Sequence, residues 1–317
     1  MTYILTGASG HIGNNLARYI QEKQPEADIA VLTRRPIGRE LAGVTCRQLI
    51  GDLGDDTFLA AHIHPDCVVI HMAGLIDLTD RRAEEAYRIN YLLTKQLCDI
   101  CREKGVRKFI YTGSVDGIAR AGDGSPITEP NEFDPAKVEG NYGKTKAMAM
   151  GYVQETMQRE QNFPCAMVLP SAVIGVHDYK PSAVGGVIQK VLSGGAEFGI
   201  PGGYNFVNVR DVCAAIYTLC QNDLRGTYIL SGEDVSVKEL YEAINRKKGY
   251  RRRPIILPLW LVRPFVPFTK VLNKITLKAL CEPHNYSYAK AARELGYSPT
   301  PFEGTLDEVI AFFEGQQ

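Results

Sequence analysis

Three things are scarce in this 317-residue chain: net charge, long apolar runs and paired cysteines. Lysine plus arginine number 36, and so do aspartate plus glutamate. That balance gives no global attraction to nucleic acid or to an anionic membrane, so no nucleic-acid partner is expected. The longest apolar run, around residues 255–268, is broken by Pro258, Arg263, Pro264 and Pro267 and makes a poor membrane span. Eight cysteines are scattered singly, except Cys98 and Cys101, which fall mid-helix with no second pair. A zinc site is therefore not expected, and reduced thiols are the simplest account. Met1 leads straight into an apolar stretch and a polar turn, which predicts no secretory leader and a cytoplasmic protein.

What is present begins at the first residue. Residues 2–6 read as a short buried strand, Gly7-Ala8-Ser9-Gly10-His11-Ile12-Gly13 follows at once, and residues 11–23 are periodic as a helix. A strand, a glycine turn and a helix N-terminus form a site for a pyrophosphate. Gly7 permits the tight turn, Gly10 lets the phosphates approach the backbone, and Gly13 lets helix and strand pack closely. The second strand, 28–32, ends at Thr33-Arg34-Arg35-Pro36. An acid at that place holds the ribose 2′-hydroxyl of NAD, whereas an arginine accommodates the 2′-phosphate of NADP. Arg34 and Arg35, with no acid, favour NADP(H) over NAD(H); a solvated basic turn is the alternative.

A third strand is expected over 44–50, ending at Gly51-Asp52-Leu53. Asp52 can reach an adenine amino group with Leu53 against the ring, or it can cap the helix that starts near Asp55. The fourth strand, 67–71, is wholly apolar up to His71, as a parallel sheet covered on both faces requires. Met72-Ala73-Gly74 brings small residues where a cofactor must pass the backbone. His71 reads as a packed strand-end histidine rather than an acid or base. Residues 83–104 form a long helix carrying Asn90, 106–111 a fifth strand ending at Thr112-Gly113-Ser114, and 116–141 a long functional loop. A helix over 142–160 and a sixth strand over 163–169, ending at Pro170, complete the pattern. The fold class is α/β: a Rossmann-type doubly wound parallel sheet of five or six strands, with a smaller C-terminal substrate-binding lobe. Residues 1–175 make the NAD(P)-binding domain and 176–317 mainly the lobe, with about 205–231 returning to the sheet. In the lobe, helices are expected over 179–193, 209–221, 237–247, 288–295 and 302–313, a turn over 199–204 and a strand over 228–230. The basic run Arg246, Lys247, Lys248, Arg251, Arg252 and Arg253 reads as a solvated helix end and loop.

Ser114, Tyr142 and Lys146 are the candidate catalytic residues. Tyr142 and Lys146 are four apart on one helix face. Reducing a ketone needs a hydride donor on one face and a proton donor at the oxygen. A free tyrosine, with a pKa near ~10, is a poor acid–base group at neutral pH. Pulling it down by about three units takes roughly 4 kcal/mol, which a lysine and a cationic nicotinamide ring can supply. Ser114 would orient the substrate oxygen. The pair alone carries little, because Tyr19/Lys23, Tyr91/Lys95 and Tyr286/Lys290 share the spacing. Only Tyr142 follows the strand bearing Ser114.

These motifs together resemble the extended short-chain dehydrogenase/reductases, the NAD(P)-dependent epimerase/dehydratase group. Thr6 to Gly13, Gly51-Asp52-Leu53, His71-Met72-Ala73-Gly74, Ser114 and Tyr142-Gly143-Lys144-Thr145-Lys146 occur in that family's order. So do Leu169-Pro170-Ser171-Ala172-Val173-Ile174-Gly175, Val207-Asn208-Val209-Arg210-Asp211-Val212 and the 290–297 segment. The resemblance covers nearly the whole chain and is strongest to the dihydroflavonol-reductase-like and 3β-hydroxysteroid-dehydrogenase-like branch. It implies a cofactor set of Gly7, Ser9, Gly10, His11, Ile12, Gly13, Arg34, Arg35, Asp52, Leu53, Met72, Ala73, Gly74, Asn90, Tyr142, Lys146, Pro170 and Val173, and a homodimer paired through its fourth and fifth helices. No arginine stands between Gly194 and Val209, where many nucleotide-sugar epimerases carry one. The 257–262 stretch either lines a hydrophobic pocket or is lobe core. Three functions follow: an NADP(H)-dependent oxidoreductase acting on a small hydrophobic ketone, aldehyde or alcohol; a nucleotide-sugar epimerase or dehydratase with tightly bound NAD(P); or a non-catalytic cofactor sensor.

Overall fold

A computed structural model describes residues 1–120, 124–194, 198–262, 274–282 and 284–316. Its strands in chain order are β1 (Thr2–Thr6), β2 (Asp28–Thr33), β3 (Arg47–Ile50), β4 (Cys67–His71), β5 (Lys108–Thr112), β6 (Cys165–Pro170), β7 (Ala172–Ile174), β8 (Phe198–Gly199), β9 (Gly203–Asn208), β10 (Gly226–Leu230), β11 (Glu233–Ser236) and β12 (Ile255–Ile256). Seven of them form one parallel sheet in the order β10-β6-β5-β4-β1-β2-β3. Alternate residues of each strand feed two separate cores. Tyr3, Leu5, Val68 and Ile70 pack on one face, and Ile4, Cys67 and Val69 on the other. Strands covered on both sides have no polar face to show, which is why β4 and β5 are buried throughout.

The seventh strand is β10. Of residues 205–231, only Gly226–Leu230 enters the main sheet, beside β6; helix Val209–Gln221 packs on one of its faces. Strand β9 joins a separate three-stranded sheet, β11-β9-β7, over a third core built on Ile174, Ile188, Phe206, Leu240 and Phe302. The turn expected over 199–204 is instead divided between β8 and β9.

Most expected elements form, and the boundary shifts have local causes. Strand β3 starts at Arg47 rather than residue 44, because the Val44 amide bonds Leu41 O and the Thr45 amide bonds Gln21 Oε1. Strand β5 starts at Lys108, since Val106 N closes the preceding helix on Cys101 O past Gly105. Strand β6 starts at Cys165 because Phe163 N turns back to Glu160 O. The helix expected from 179 begins at Ala183, where Ser182 Oγ caps it by accepting from Gly185 N at 3.0 Å. The long helix is real but not uniform. Between Ala83–Ala86 and Leu93–Lys104 it opens into a π turn, Tyr87–Leu92, which carries Asn90. Among the described residues, no helix is long and apolar enough to cross a membrane.

Candidate active site

The carboxyl ends of β1, β2 and β4 open on a cavity of about 590 Å³. Gly7, Ser9, Gly10, Arg34, Asp52, Leu53, Met72, Ala73 and Gly74 all line it. Gly7 has φ +74, and a Cβ there would stand 2.6 Å from Ala73 N, so only glycine fits this turn between β1 and β4. Gly10 N donates to Gly7 O at 2.9 Å and leads into helix His11–Lys23, whose opening amides face the cavity rim. These residues could hold a dinucleotide, with phosphates at the helix start and an adenosine toward Asp52 and Arg34.

Other predicted residues stand behind this surface. His11 bonds Val176 O through Nε2 at 3.0 Å, and burial lowers its pKa. Ile12 packs on the core, and Gly13 packs against Gly7 O. Arg35 is exposed and outside the cavity lining, while its carbonyl accepts from Thr33 Oγ1 at 2.7 Å. Asn90 is wholly buried. Its Oδ1 accepts from Leu75 N at 2.7 Å, and its Nδ2 donates to Leu75 O and Thr145 Oγ1, both at 3.0 Å. It therefore ties the Met72–Leu75 wall to the catalytic helix. Asp52 does not cap the helix after β3. Asp55 does, through Oδ1 accepting from Thr57 N and Phe58 N, while Asp52 Oδ1 is used by Gly54 N. Pro170 ends β6, and Val173 pairs with Val207 in the small sheet. Arg82 and Arg88 also line the cavity. Sequence reasoning missed them because a helix face cannot be aimed without the fold.

His71 is the packed strand-end histidine that was expected. Its Nδ1 lies 2.7 Å from Thr6 Oγ1 and its Nε2 3.0 Å from Thr94 Oγ1. Thr94 gives its own proton to Asn90 O, so the ring proton sits on Nε2 and Thr6 donates to Nδ1. Both nitrogens are satisfied in the neutral form, and burial pushes the pKa down to about 3.

Ser114, Tyr142 and Lys146 come together at the end of β5. Ser114 and Lys146 are 7% and 4% exposed, so water has little access to either. Helix Asn141–Arg159 starts here because Gly143 lets it close on the loop after β5. A Cβ on Gly143 would stand 2.7 Å from Asp116 O. Lys146 Nζ donates to Thr112 O at 2.9 Å and to Tyr111 OH at 3.3 Å. Its ammonium also sits 5.0 Å from the centre of the Tyr111 ring. Burial pushes its pKa down to about 8, with the Asp116 carboxylate opposing. A Cβ on Gly74, on the cavity wall, would stand 3.5 Å from Lys146 Nζ, so the lysine lies directly behind that wall.

The protein groups around Tyr142 favour its neutral form. Burial and the Asp116 carboxylate push its phenol up, and a hydrogen bond with Ser114 pulls it only partly back. Lys146 is turned toward Thr112 and Tyr111.

Asp116 is the residue that motif reasoning passed over. Its Oδ2 accepts from Ser114 Oγ at 3.2 Å, and its N donates back to that hydroxyl. It lies four residues past the end of β5 and two past Ser114, which is the one signal that could have marked it. Facing it are Arg120, His284 and Tyr286, whose positions late in the sequence gave no hint of proximity. Arg120 pairs with Glu282 and donates to Tyr286 OH at 2.9 Å. The decoy Tyr286/Lys290 is split, for Lys290 sits over the Tyr228 ring instead.

Beyond Tyr142 a small polar cleft leads, past Leu78, to a second cavity of about 480 Å³ in the lobe. Val184, Val187, Ile200, Phe206, Leu240 and Leu280 line it, and no charged residue among the described ones does. Of the 257–262 stretch, Leu257 and Val262 are part of its wall, whereas Trp260 and Leu261 are exposed. Tyr204 links the two spaces: it lines the apolar cavity, and the Asp116 carboxylate pushes its phenol further up on top of burial.

The model of the NAD dependent epimerase/dehydratase family matches residues 3–230. The chain belongs to the NAD-dependent epimerase/dehydratase family. It is an extended short-chain dehydrogenase/reductase, an NAD(P)-dependent enzyme, as the sequence resemblance implied. Sterol demethylase protein B of Methylococcus capsulatus is 26% identical over 328 residues, covering 99% of this chain and 98% of that one. The 3 beta-hydroxysteroid dehydrogenase type 7 of Mus musculus is 26% identical over 344 residues, covering 94% of this chain and 91% of that one. Among solved structures, UDP-glucuronic acid 4-epimerase from Bacillus cereus in complex with NAD superposes with a TM-score of 0.78 at 16% identity, covering 100% of this chain and 99% of that one. That likeness is one of fold.

Proposed function

We infer that this family member is an NADP(H)-favouring oxidoreductase that interconverts a carbonyl and an alcohol on a bulky apolar substrate. The observation that carries this reading is the apolar cavity beyond Tyr142. It is lined without charge among the described residues, so a nucleoside diphosphate placed there would lose its hydration with no cation to replace it. The names of the sterol and hydroxysteroid relatives point the same way.

In this reading, NADP(H) supplies or accepts the hydride. Ser114 donates a hydrogen bond to the substrate oxygen. Tyr142, held protonated by its surroundings, gives its proton to that oxygen as the carbonyl is reduced, and takes it back in the oxidative direction. Lys146, whose Nζ lies behind the Gly74 wall of the cofactor cavity, holds the nicotinamide ribose. Arg34 holds the 2′-phosphate. Asp116 holds Ser114 Oγ through its backbone N–H and releases the single hydroxyl proton from its carboxylate to the substrate oxygen.

The test is a turnover assay with NADPH and NADH against bulky apolar ketones, including a 3-ketosteroid, beside UDP-glucose and UDP-glucuronic acid. NADPH oxidation with the apolar ketones and none with the UDP-sugars is expected. Epimerisation of a UDP-sugar by protein with retained cofactor would overturn the reading in favour of the nucleotide-sugar class.

A further inference from the structure

The apolar cavity opens on a lip that is itself apolar. Phe198 lines the cavity and is 57% exposed. It pairs in register with Ile255, which is 52% exposed. Leu257 N donates to Gly199 O, which binds the following segment to the same edge. Helix Leu259–Val262 then puts Val262 into the cavity wall and leaves Trp260 at 73% exposure, beside the exposed Leu261. Trp260 is the chain's single tryptophan. A large indole in water at the mouth of an apolar pocket is an unusual expense of apolar surface.

Arg251, Arg252 and Arg253 immediately precede this lip, and all three are exposed. They differ from the basic residues just before them. Arg246 and Lys247 pair with Glu303, Lys247 also with Asp307, and Lys248 with Glu314. Among the described residues, no acid pairs with Arg251, Arg252 or Arg253. So the six-residue basic run is two things: three cations paired with acids on the lobe, and three without an acidic partner among the described residues, Arg252 resting over the Tyr250 ring, beside exposed Phe, Ile, Trp and Leu side chains.

We propose that this lip docks on an anionic lipid surface, with Trp260, Leu261, Phe198 and Ile255 entering the headgroup boundary and Arg251 to Arg253 contacting lipid phosphates. Tryptophan favours that boundary because its ring is apolar and its N–H is polar, and arginines beside an apolar patch supply the attraction that the chain's zero net charge lacks. The lip lies on the membrane surface, and among the described residues no helix is long and apolar enough to cross it. Delivery of substrate from the lipid through the lip rests on the apolar-substrate reading; the docking itself does not.

Fluorescence of the sole tryptophan reads this directly in the full-length protein. Vesicles of phosphatidylcholine with about one-third phosphatidylglycerol should shift Trp260 emission to the blue, and brominated acyl chains should quench it. Phosphatidylcholine vesicles alone should give a much smaller response, and added salt should weaken the response to the anionic vesicles. The double variant Arg251→Gln/Arg253→Gln should bind the anionic vesicles on the order of twenty- to thirtyfold more weakly, with an unchanged circular dichroism spectrum and unchanged turnover of a water-soluble ketone. No spectral shift with either vesicle would overturn the proposal. So would a shift that the double variant retains, and so would a shift that grows with protein concentration without lipid, which would make the lip a contact between two copies of the chain. Because the readout involves no catalysis, a negative result here leaves the reading of the chemistry standing, and an unreactive ketone panel leaves docking measurable.

Discussion

The cofactor side and the substrate side of this molecule are built by opposite means. The cofactor wall comes from consecutive residues at strand ends, held by backbone constraints such as Gly7 against Ala73 and by saturated polar contacts such as His71 between Thr6 and Thr94. The substrate wall comes from side chains of segments far apart in sequence: Leu78, Val187, Tyr204, Leu240, Leu257 and Leu280. The first is specified by a local pattern that tolerates almost no substitution. The second is specified only by the assembled fold and can be re-lined residue by residue. One scaffold can thus keep one cofactor and change its substrate.

The largest effect expected is at the seam between the two. Tyr142→Phe should lower kcat by about a hundred- to ten-thousandfold, while NADPH titration gives an unchanged Kd. Near-normal turnover would show that the proton reaches the substrate by another route. Gly7→Ala should be next. Its Cβ meets backbone rather than a flexible side chain, so loss of roughly 2–4 kcal/mol of stability or loss of cofactor binding is expected, by thermal melting with and without NADPH.

His71 offers a pH test on the cofactor side. Its folded pKa of about 3 lies below the usual 6.5, so between those values the unfolded chain binds a proton that the native chain refuses. Stability should be complete above about pH 6.5 and fall as pH drops toward 3, by up to roughly 4 kcal/mol. Denaturant melts of wild type and His71→Gln across pH 4–7 check this; parallel curves would assign the acid sensitivity elsewhere. On the substrate side, Val187→Phe narrows the cavity and should raise KM for bulky ketones about tenfold, with small ketones unaffected. The smallest expected effect separates the two neighbouring arginines. Arg34→Ala should cost about tenfold in NADPH affinity and leave NADH unchanged, while Arg35→Ala changes neither, since only Arg34 lines the cavity.

The same contrast explains what could be read from the sequence. Strand ends, the glycine turn and the spacing of Tyr142 and Lys146 are local regularities, so the sheet and the residues around the cofactor cavity were visible. The seventh strand was under-read because Gly226–Leu230 follows a helix in a region of loose pattern. Boundaries at β3, β5 and β6 slipped where an amide found a turn or side-chain partner instead of a ladder. Asp116, Arg120, His284 and Tyr286 were not visible, because their meeting is a fact of tertiary structure alone. The protein groups that surround the Tyr142 phenol were not visible for a related reason. Sequence places a lysine one turn away but does not say that its ammonium turns to Thr112 and Tyr111.

One contact in that late-arriving group reaches into how the protein is made. The loop that follows Ser114 is fastened to the C-terminal segment. Ile127 N donates to Asn285 O, Ser287 N donates to Ile127 O, and Asn285 Nδ2 donates to Ser125 O. A chain still on the ribosome can complete the first six strands and the dinucleotide cradle long before residue 285 exists. It cannot complete the loop beside Ser114. During synthesis the strands that make the cavity wall can thus pair while the loop beside Ser114 still waits for the segment that fastens it.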